Sequence, residues 1–372
     1  MEASALHLSH KIQQTLADHL PFCAYKKPQE NKVNFLLQQD KYLYKLTDFK
    51  QSGFVFVPFN DISEGILFPK EKTHSFTFPL PIGKPIINPQ KTLNKHHQAK
   101  EKHLDLVSKT VSFLKNNHAS KIVISRKECF NVPDFDSVNT FINLLKAYDN
   151  AMVYMWYHPK IGFWIGATPE VLLHIKNNRF TTMALAGTQK NNSDKGIHWQ
   201  EKEKTEQKYV TDYIVKTLKQ HNISHKTSKA YTINAGNIAH IRTDITGVLS
   251  PKTDLKSLIQ QLHPTPAVCG IPKETAKDFI LNNEAYHRKF YTGFLGELNL
   301  TSYKNRTKRN IENQAYQNIL SETNLFVNLR CMEIIKTEVC LYIGGGITKD
   351  STPEKEFIET VEKAKVLQNF II

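Results

Sequence analysis

Between Met152 and Gly187 the runs VYMWYH, GFWIGA, EVLLHI and RFTTMALAG follow one another with only short turn segments between them. Connections this short cannot contain a crossover helix, so successive runs must lie antiparallel. The pattern predicts one continuous antiparallel meander. SGFVFVPFN, SKIVISRKECF and EVCLYIGG also read as strands, whereas His97 to Asn116, Ser137 to Tyr148 and WQEKEKTEQKYVTDYIVKTLKQ read as helices. PLPIGKPIINPQ is a proline-rich connection, and no short-period repeat or βαβ alternation is found. The predicted class is α+β with large antiparallel sheets.

A chain of 372 residues exceeds the usual size of a single core, which allows one intertwined domain or two similar halves. Its 40% hydrophobic and 23% charged residues fit a soluble globular protein. No run of about 18 apolar residues and no leader-like N-terminus is present, so a cytoplasmic protein without membrane contact is expected. Cys23, Cys129, Cys269, Cys331 and Cys340 form no metal-ligand spacing and are expected to be reduced thiols. The formal charge of +14 raises the question of nucleic acid. Its lysines are spread along the chain, and YKNRTKRN, Tyr303 to Asn310, belongs to a polar stretch at 302–323 that reads as a surface loop. No nucleic-acid motif accompanies it, so attraction for a small anionic substrate is the better reading.

In GGGITKDSTPEKEFIET, Gly344 to Thr360, three glycines precede a glutamate-rich helix. Ser351 or Thr352 can cap that helix, Pro353 suits its first turn and Glu354 can close a capping box, so a phosphate cradle fits poorly. Glu356 and Glu359 leave one side of the helix, with Lys363 one further turn along. Such a pair holds a hard cation or forms a solvated face. In the helix after the meander, Val210, Ile214 and Leu218 mark an apolar stripe, and Glu206 and Glu203 continue it backward. Inward carboxylates need a cation or donors, and an oxygen-only set suits Mg²⁺. The alternative is that Glu203 and Glu206 fray into solvent. Lys121 is followed by Ile122, Val123 and Ile124, where poor solvation would make it a base near neutral pH, unless an edge strand lets it reach water. Glu170, in GATPEVLL, is a general acid with a raised pKa or a simple turn residue. Zinc-peptidase, hydrolase-elbow and dinucleotide motifs are absent, and the 16 histidines do not cluster at ligand spacing.

Taken in order, SKIVISR, FWIGATPEVLL, ALAGTQ, EKEKTEQKYV, HIRTDITGVL, LHPTPAVCGIPKE, FYTGFLGEL, LFVNLRCMEI and GGGITKDSTPEKEFIET resemble the motifs of the chorismate-utilising enzymes. The resemblance runs from about Leu104 to Ile371 and is nearest to members that form isochorismate. It implies an α+β sandwich of two large antiparallel sheets with helices outside, residues 1–100 being its N-terminal part and 101–372 the chorismate-binding region of one compact unit. It further implies Lys121 as the base that activates water and Glu170 as the acid that protonates the departing hydroxyl. Glu206 and Glu359 would bind Mg²⁺, assisted by Glu203 and Glu356, and the metal would hold the ring carboxylate. Tyr291 and Arg330 would grip the enolpyruvyl carboxylate, with Gly187, Thr188, His240, Thr265, Gly345 and Lys363 as further pocket positions. The glycines would let the backbone approach the substrate.

Salicylate formation, with elimination of pyruvate, is the alternative within the family. Members that use ammonia lack a base like Lys121, and aminodeoxychorismate-forming members carry a lysine where this chain has Ala186. Two features depart from the family: Gln189 follows Thr188 where relatives often carry a basic residue, and the stretch at 302–323 is longer than a simple hairpin. The product would feed menaquinone or siderophore synthesis. A monomer is expected, a dimer being the alternative.

Overall fold

The computed structural model describes residues 2–87, 97–190, 197–235, 238–305 and 317–371. In chain order its first elements are α1 (Glu2–Ala17), β1 (Phe22–Lys26), β2 (Lys32–Gln38), β3 (Gly53–Val57), β4 (Ile66–Pro69), β5 (Thr73–Pro79), α2 (His97–Lys115), β6 (Lys121–Asn131) and α3 (Ser137–Ala147). Then come β7 (Met152–His158), β8 (Gly162–Thr168), β9 (Val171–Lys176), β10 (Arg179–Lys190), α4 (Glu201–Gln220), β11 (His225–Thr227), β12 (Tyr231–Ala235) and β13 (Ile238–Val248). The last are α5 (Leu255–Leu262), β14 (Gly270–Ile271), α6 (Lys273–Asn283), β15 (Phe294–Asn305), β16 (Gln317–Val327), β17 (Cys331–Ile335), β18 (Glu338–Ile347) and α7 (Pro353–Gln368).

The strands form two antiparallel sheets. The first has the order β14-β6-β18-β17-β8-β7-β1-β2-β5, and the second β11-β13-β10-β9-β16-β15-β3-β4, with β12 also on β13. Period-two alternation explains why both faces are buried. Along β7, Met152, Tyr154 and Trp156 enter the slab between the sheets, while Val153 and Met155 join the outer core under α1, α3 and α7. Phe54 and Phe56 of β3 enter the same slab, whereas Val55 and Val57 pack toward α4 and α5. Aromatic rings fill the slab: Phe56 stacks on Phe290 at 4.2 Å and Trp164 on Tyr342 at 5.3 Å. The α+β sandwich with outer helices is therefore as expected. Strands from the first eighty residues enter both sheets.

The meander differs from expectation. β7 pairs with β8 in the first sheet, but β9 pairs with β10 in the second. The two residues between them, Pro169 and Glu170, cross from one sheet to the other. The chain returns alongside, because β16 in the second sheet leads into β17 in the first through Asn328, Leu329 and Arg330. Proline has no N–H, so the ladder breaks there and the ribbon can bend. Val327 N donates to Glu170 O at 2.9 Å and Ala167 N to Arg330 O at 3.0 Å, locking the two crossings together.

Other expectations are corrected. Cys129 and Cys340 are joined in a disulfide, because the β6–β18 register sets them opposite each other with Cα atoms 4.0 Å apart. Their separation of 211 residues hid this in the sequence, whereas Cys23, Cys269 and Cys331 are free, as expected, and buried. The polar stretch is not all loop, since β15 and β16 pair out to Asn305 opposite Gln317; residues 306–316, with most of the basic cluster, lie outside the described residues. The N-cap of α7 is Thr352, which makes no side-chain cap bond, and no capping box forms through Glu354; Pro353 opens the helix. Ser351 Oγ instead accepts from Thr348 N. Among the described residues no helix is long and apolar enough to cross a membrane.

Closing a loop of this length restricts the unfolded chain, by about 5 kcal/mol on the chain-entropy model. The double variant Cys129→Ser, Cys340→Ser is expected to unfold at clearly lower denaturant than the oxidised wild type, and reduction of the wild type should reproduce the shift. Coincident denaturation curves would refute a stabilising bridge.

Candidate active site

Lys121 opens β6 and is 2% exposed. It is no edge residue, because β14 covers it, with Ile271 opposite. Its Nζ is 3.8 Å from Glu206 Oε2. The glycines of β18 explain how it fits: a Cβ on Gly346 would stand 2.8 Å from Lys121 Cε, and one on Gly344 2.6 Å from the Tyr291 hydroxyl. Those two glycines open space for side chains that reach the cavity. Gly187 lies at a bulge of β10 with φ of +73°, and a Cβ there would press within 3.0 Å of Glu203 Cβ. Glycine thus allows α4 to approach the sheet.

The sheet crossing supplies the opposite wall. Glu170 is 5% exposed, and burial pushes its carboxyl up to about 8 against the opposing pull of Lys121 and Arg330. A group in that state carries its proton at neutral pH. Arg330, in the returning crossing, has φ of +47°, a left-handed conformation rare outside glycine. One of its guanidinium nitrogens lies 3.1 Å from His240 Nε2, and His240 Nδ1 lies 3.1 Å from Gly187 O. An arginine only donates and a carbonyl only accepts, so His240 is neutral with its proton on Nδ1. Burial, with Arg330 and Lys363, holds the imidazole down to about 3.

The third wall carries the carboxylates. Glu206 is 9% exposed on the inward stripe of α4, and burial raises its pKa, opposed by Lys121 and Lys202 and reinforced by Glu359 and Glu356. For Glu359, burial acts upward but is outweighed by Lys363, Lys202 and Lys121, leaving the carboxyl below its ordinary range. Lys363 donates to Glu359 at 2.7 Å and to Gly344 O at 3.0 Å, and Lys202 pairs with Glu356 at 2.9 Å. Glu203 differs from its three companions, because one oxygen accepts from Gln200 N at 3.0 Å in a capping box that starts α4. As donors, Glu206, Glu356 and Glu359 suit a hard cation, and Glu356 Oε2 is buried without a hydrogen-bond partner. Their oxygens do not gather within 4.8 Å as a set, each being drawn to its own lysine. Among the described residues the group that does gather, Cys129, Glu338 and Cys340, has its sulfurs tied in the disulfide.

One cavity, about 1190 Å³ including its open mouth, joins these walls. It is lined by Lys121, Glu170, Gly187, Thr188, Glu203, Glu206, His240, Tyr291, Arg330, Glu359 and Lys363 among the residues expected from sequence. Thr265, Gly345 and Glu356 are not on its wall. Ala267 and Val268 line it in place of Thr265, while Gly345 faces away, its Cβ direction pointing to Glu356 Oε2 at 3.8 Å.

A sequence profile of chorismate binding enzymes matches residues 72–304, and a second profile of chorismate binding enzymes matches residues 316–369. The chain belongs to the chorismate-binding enzyme family. It is 24% identical over 277 residues to the isochorismate synthase EntC of Escherichia coli (strain K12), covering 71% of this chain and 65% of that one. It is also 24% identical over 290 residues to anthranilate synthase component 1 of Aquifex aeolicus (strain VF5), covering 73% and 53%. The matched stretch thus spans less than two thirds of either relative. The menaquinone-specific isochorismate synthase MenF of Escherichia coli has the same fold, with a TM-score of 0.74 at 18% identity over 95% of this chain and 89% of that one.

In this chorismate-binding enzyme the sequence reading missed the support beneath the site. Arg288 and Glu284 form a buried pair, with side chains 2% and 1% exposed. Arg288 also donates to Val123 O and Val268 O, and Glu284 accepts from Ser125 N. Val123 and Val268 both line the cavity, so the pair ties two of its walls together. Opposite charges four residues apart were visible in sequence, but that spacing is equally common on exposed helices. Arg288→Met strands a buried carboxylate and is expected to cost about 3–5 kcal/mol in chemical denaturation. A loss below about 1 kcal/mol would contradict the supporting role.

Proposed function

We propose that the protein is an isochorismate synthase, interconverting chorismate and isochorismate with Mg²⁺. The observation that carries this reading is the pairing of a buried lysine with a buried carboxyl, whose pKa burial pushes up to about 8, on two walls of one cavity, with Arg330 beside the acid. The family match supplies the substrate class. In the forward reaction the Lys121 amine takes a proton from water as that oxygen bonds to one ring carbon. Glu170 gives its proton to the hydroxyl leaving another ring carbon, which departs as water while the ring double bonds shift between the two. Water enters and water leaves, so the reaction is reversible and needs no oxidant. Each proton-transfer group is worth roughly 10² to 10⁴ in rate.

Arg330 is suited to a carboxylate through two parallel hydrogen bonds, and its contact to His240 fixes the fork. Tyr291, buried and stacked on Tyr342 at 5.5 Å, offers a hydroxyl beside Gly344. Glu206 and Glu359 would hold Mg²⁺ directly, with Glu356 and Glu203 behind them. When bound, the metal would neutralise the substrate's ring carboxylate. Ala186 lines the cavity, which speaks against a lysine nucleophile on that wall, and Lys121 speaks for water as nucleophile. Ala267 presents a small apolar surface, offering few contacts to fold the enolpyruvyl arm back for pyruvate loss.

Incubation of purified protein with chorismate and Mg²⁺ should yield isochorismate in reversible balance and little pyruvate. Lys121→Ala and Glu170→Gln should each lower kcat at least about a hundredfold while remaining folded. Stoichiometric pyruvate with salicylate would move the protein to the salicylate-forming class. No turnover of chorismate at all would end the reading.

A further inference from the structure

Three lysines on the cavity wall each meet a carboxylate, Glu356 among these lying just behind the wall, and the lysines are not equivalent. Lys121 is walled in by Gly346, with a side chain 3% exposed, and Lys363 is also held by Gly344 O. Lys202, in the first turn of α4, has a side chain 37% exposed, and its acceptor among the described residues is Glu356 Oε1 at 2.9 Å. Lys202 also lines the cavity, and its charge acts on Glu206 and Glu359. Glu356, by contrast, is 3% exposed and belongs to the first turn of α7. This ion pair therefore bridges the two helices that carry the carboxylates.

An ammonium and a divalent cation cannot share Glu356 comfortably. Both are drawn to the same carboxylate, and two cations a few ångströms apart repel strongly where water is scarce. Glu356 has one oxygen committed to Lys202 and another buried without a hydrogen-bond partner. A carboxylate in that position needs a cation of some kind, since an unpaired buried charge is costly. Lys202 supplies one on a flexible four-carbon stem, partly open to solvent, which can swing out without moving the backbone.

We propose that Lys202 is a tethered competitor for the divalent cation, occupying Glu356 and withdrawing toward solvent when a metal ion engages that carboxylate. The inference rests on the reading of these glutamates as a metal site, and it assigns Lys202 a role in setting metal affinity. Removing the ammonium should make the carboxylates a stronger site for metal, at the expense of stability without metal. Retaining the charge should retain the competition.

The test compares wild type, Lys202→Met and Lys202→Arg after removal of metal by chelation. Titration with Mg²⁺ by calorimetry, and with Mn²⁺ by electron paramagnetic resonance, is expected to show at least tenfold tighter binding to Lys202→Met and near wild-type binding to Lys202→Arg. In thermal melts, Lys202→Met should have the lower Tm without metal and the larger rise with saturating Mg²⁺. Lys202→Gln replaces the methionine variant if that protein does not fold. Equal or weaker metal binding by the neutral variants would overturn the competition while leaving the metal site standing. Failure of every protein to bind either ion would remove the metal site and the inference together.

Discussion

The site depends on a pair of backbone hydrogen bonds at the place where a two-stranded ribbon leaves one sheet for the other. Val327 N to Glu170 O and Ala167 N to Arg330 O tie the outgoing and returning crossings side by side. Thr168 Oγ1 adds a bond to Val327 O at 2.6 Å. A ribbon bent in this way satisfies its own backbone, so it can pass between sheets without leaving buried polar groups unpaired. It also turns Glu170 and Arg330 into the same cavity, where neither strand alone would direct them. The left-handed backbone of Arg330 is tolerated because its carbonyl is held.

From that constraint follows the division of charge. Glu170 sits where burial dominates and keeps its proton, whereas Glu359 sits beside Lys363 and loses it. Two carboxyls on one cavity are therefore driven in opposite directions by their surroundings, which is what the proposed combination of a proton donor with an anionic metal ligand requires. The neutral imidazole of His240 adds no charge, yet it accepts from Arg330 and so sets the direction of the guanidinium. The Arg288–Glu284 pair beneath them holds the walls against one another.

Much of this was legible in the sequence, and the exceptions have physical causes. Strand alternation and helical stripes revealed the α+β class with large antiparallel sheets, the family resemblance supplied the sandwich, and the stripe through Val210 and Ile214 correctly carried Glu206 inward. Pro169–Glu170 reads like any tight turn, however, because its change of sheet is imposed by β16 and β17, which lie far along the chain. Alternation along β18 explains why Gly344 and Gly346 reach the cavity while Gly345 turns to α7. Lys202 was overlooked because a lysine among the exposed residues of a first helical turn carries no local mark; only the approach of α7 gives it a buried partner. The Cys129–Cys340 bridge was missed for a similar reason, since its register is set by the β6–β18 pairing across 211 residues.

The protonated state of Glu170 is the point on which the account stands, and infrared difference spectroscopy reads it directly. The carbonyl stretch of a neutral carboxyl, identified by its disappearance in Glu170→Gln, should persist at neutral pH and be lost as pH rises through about 8. The sign follows from burial, which disfavours the charged form and so moves ionisation upward. A Glu170 band that has already vanished near the ordinary carboxyl range, at about pH 4 to 5, would contradict the account.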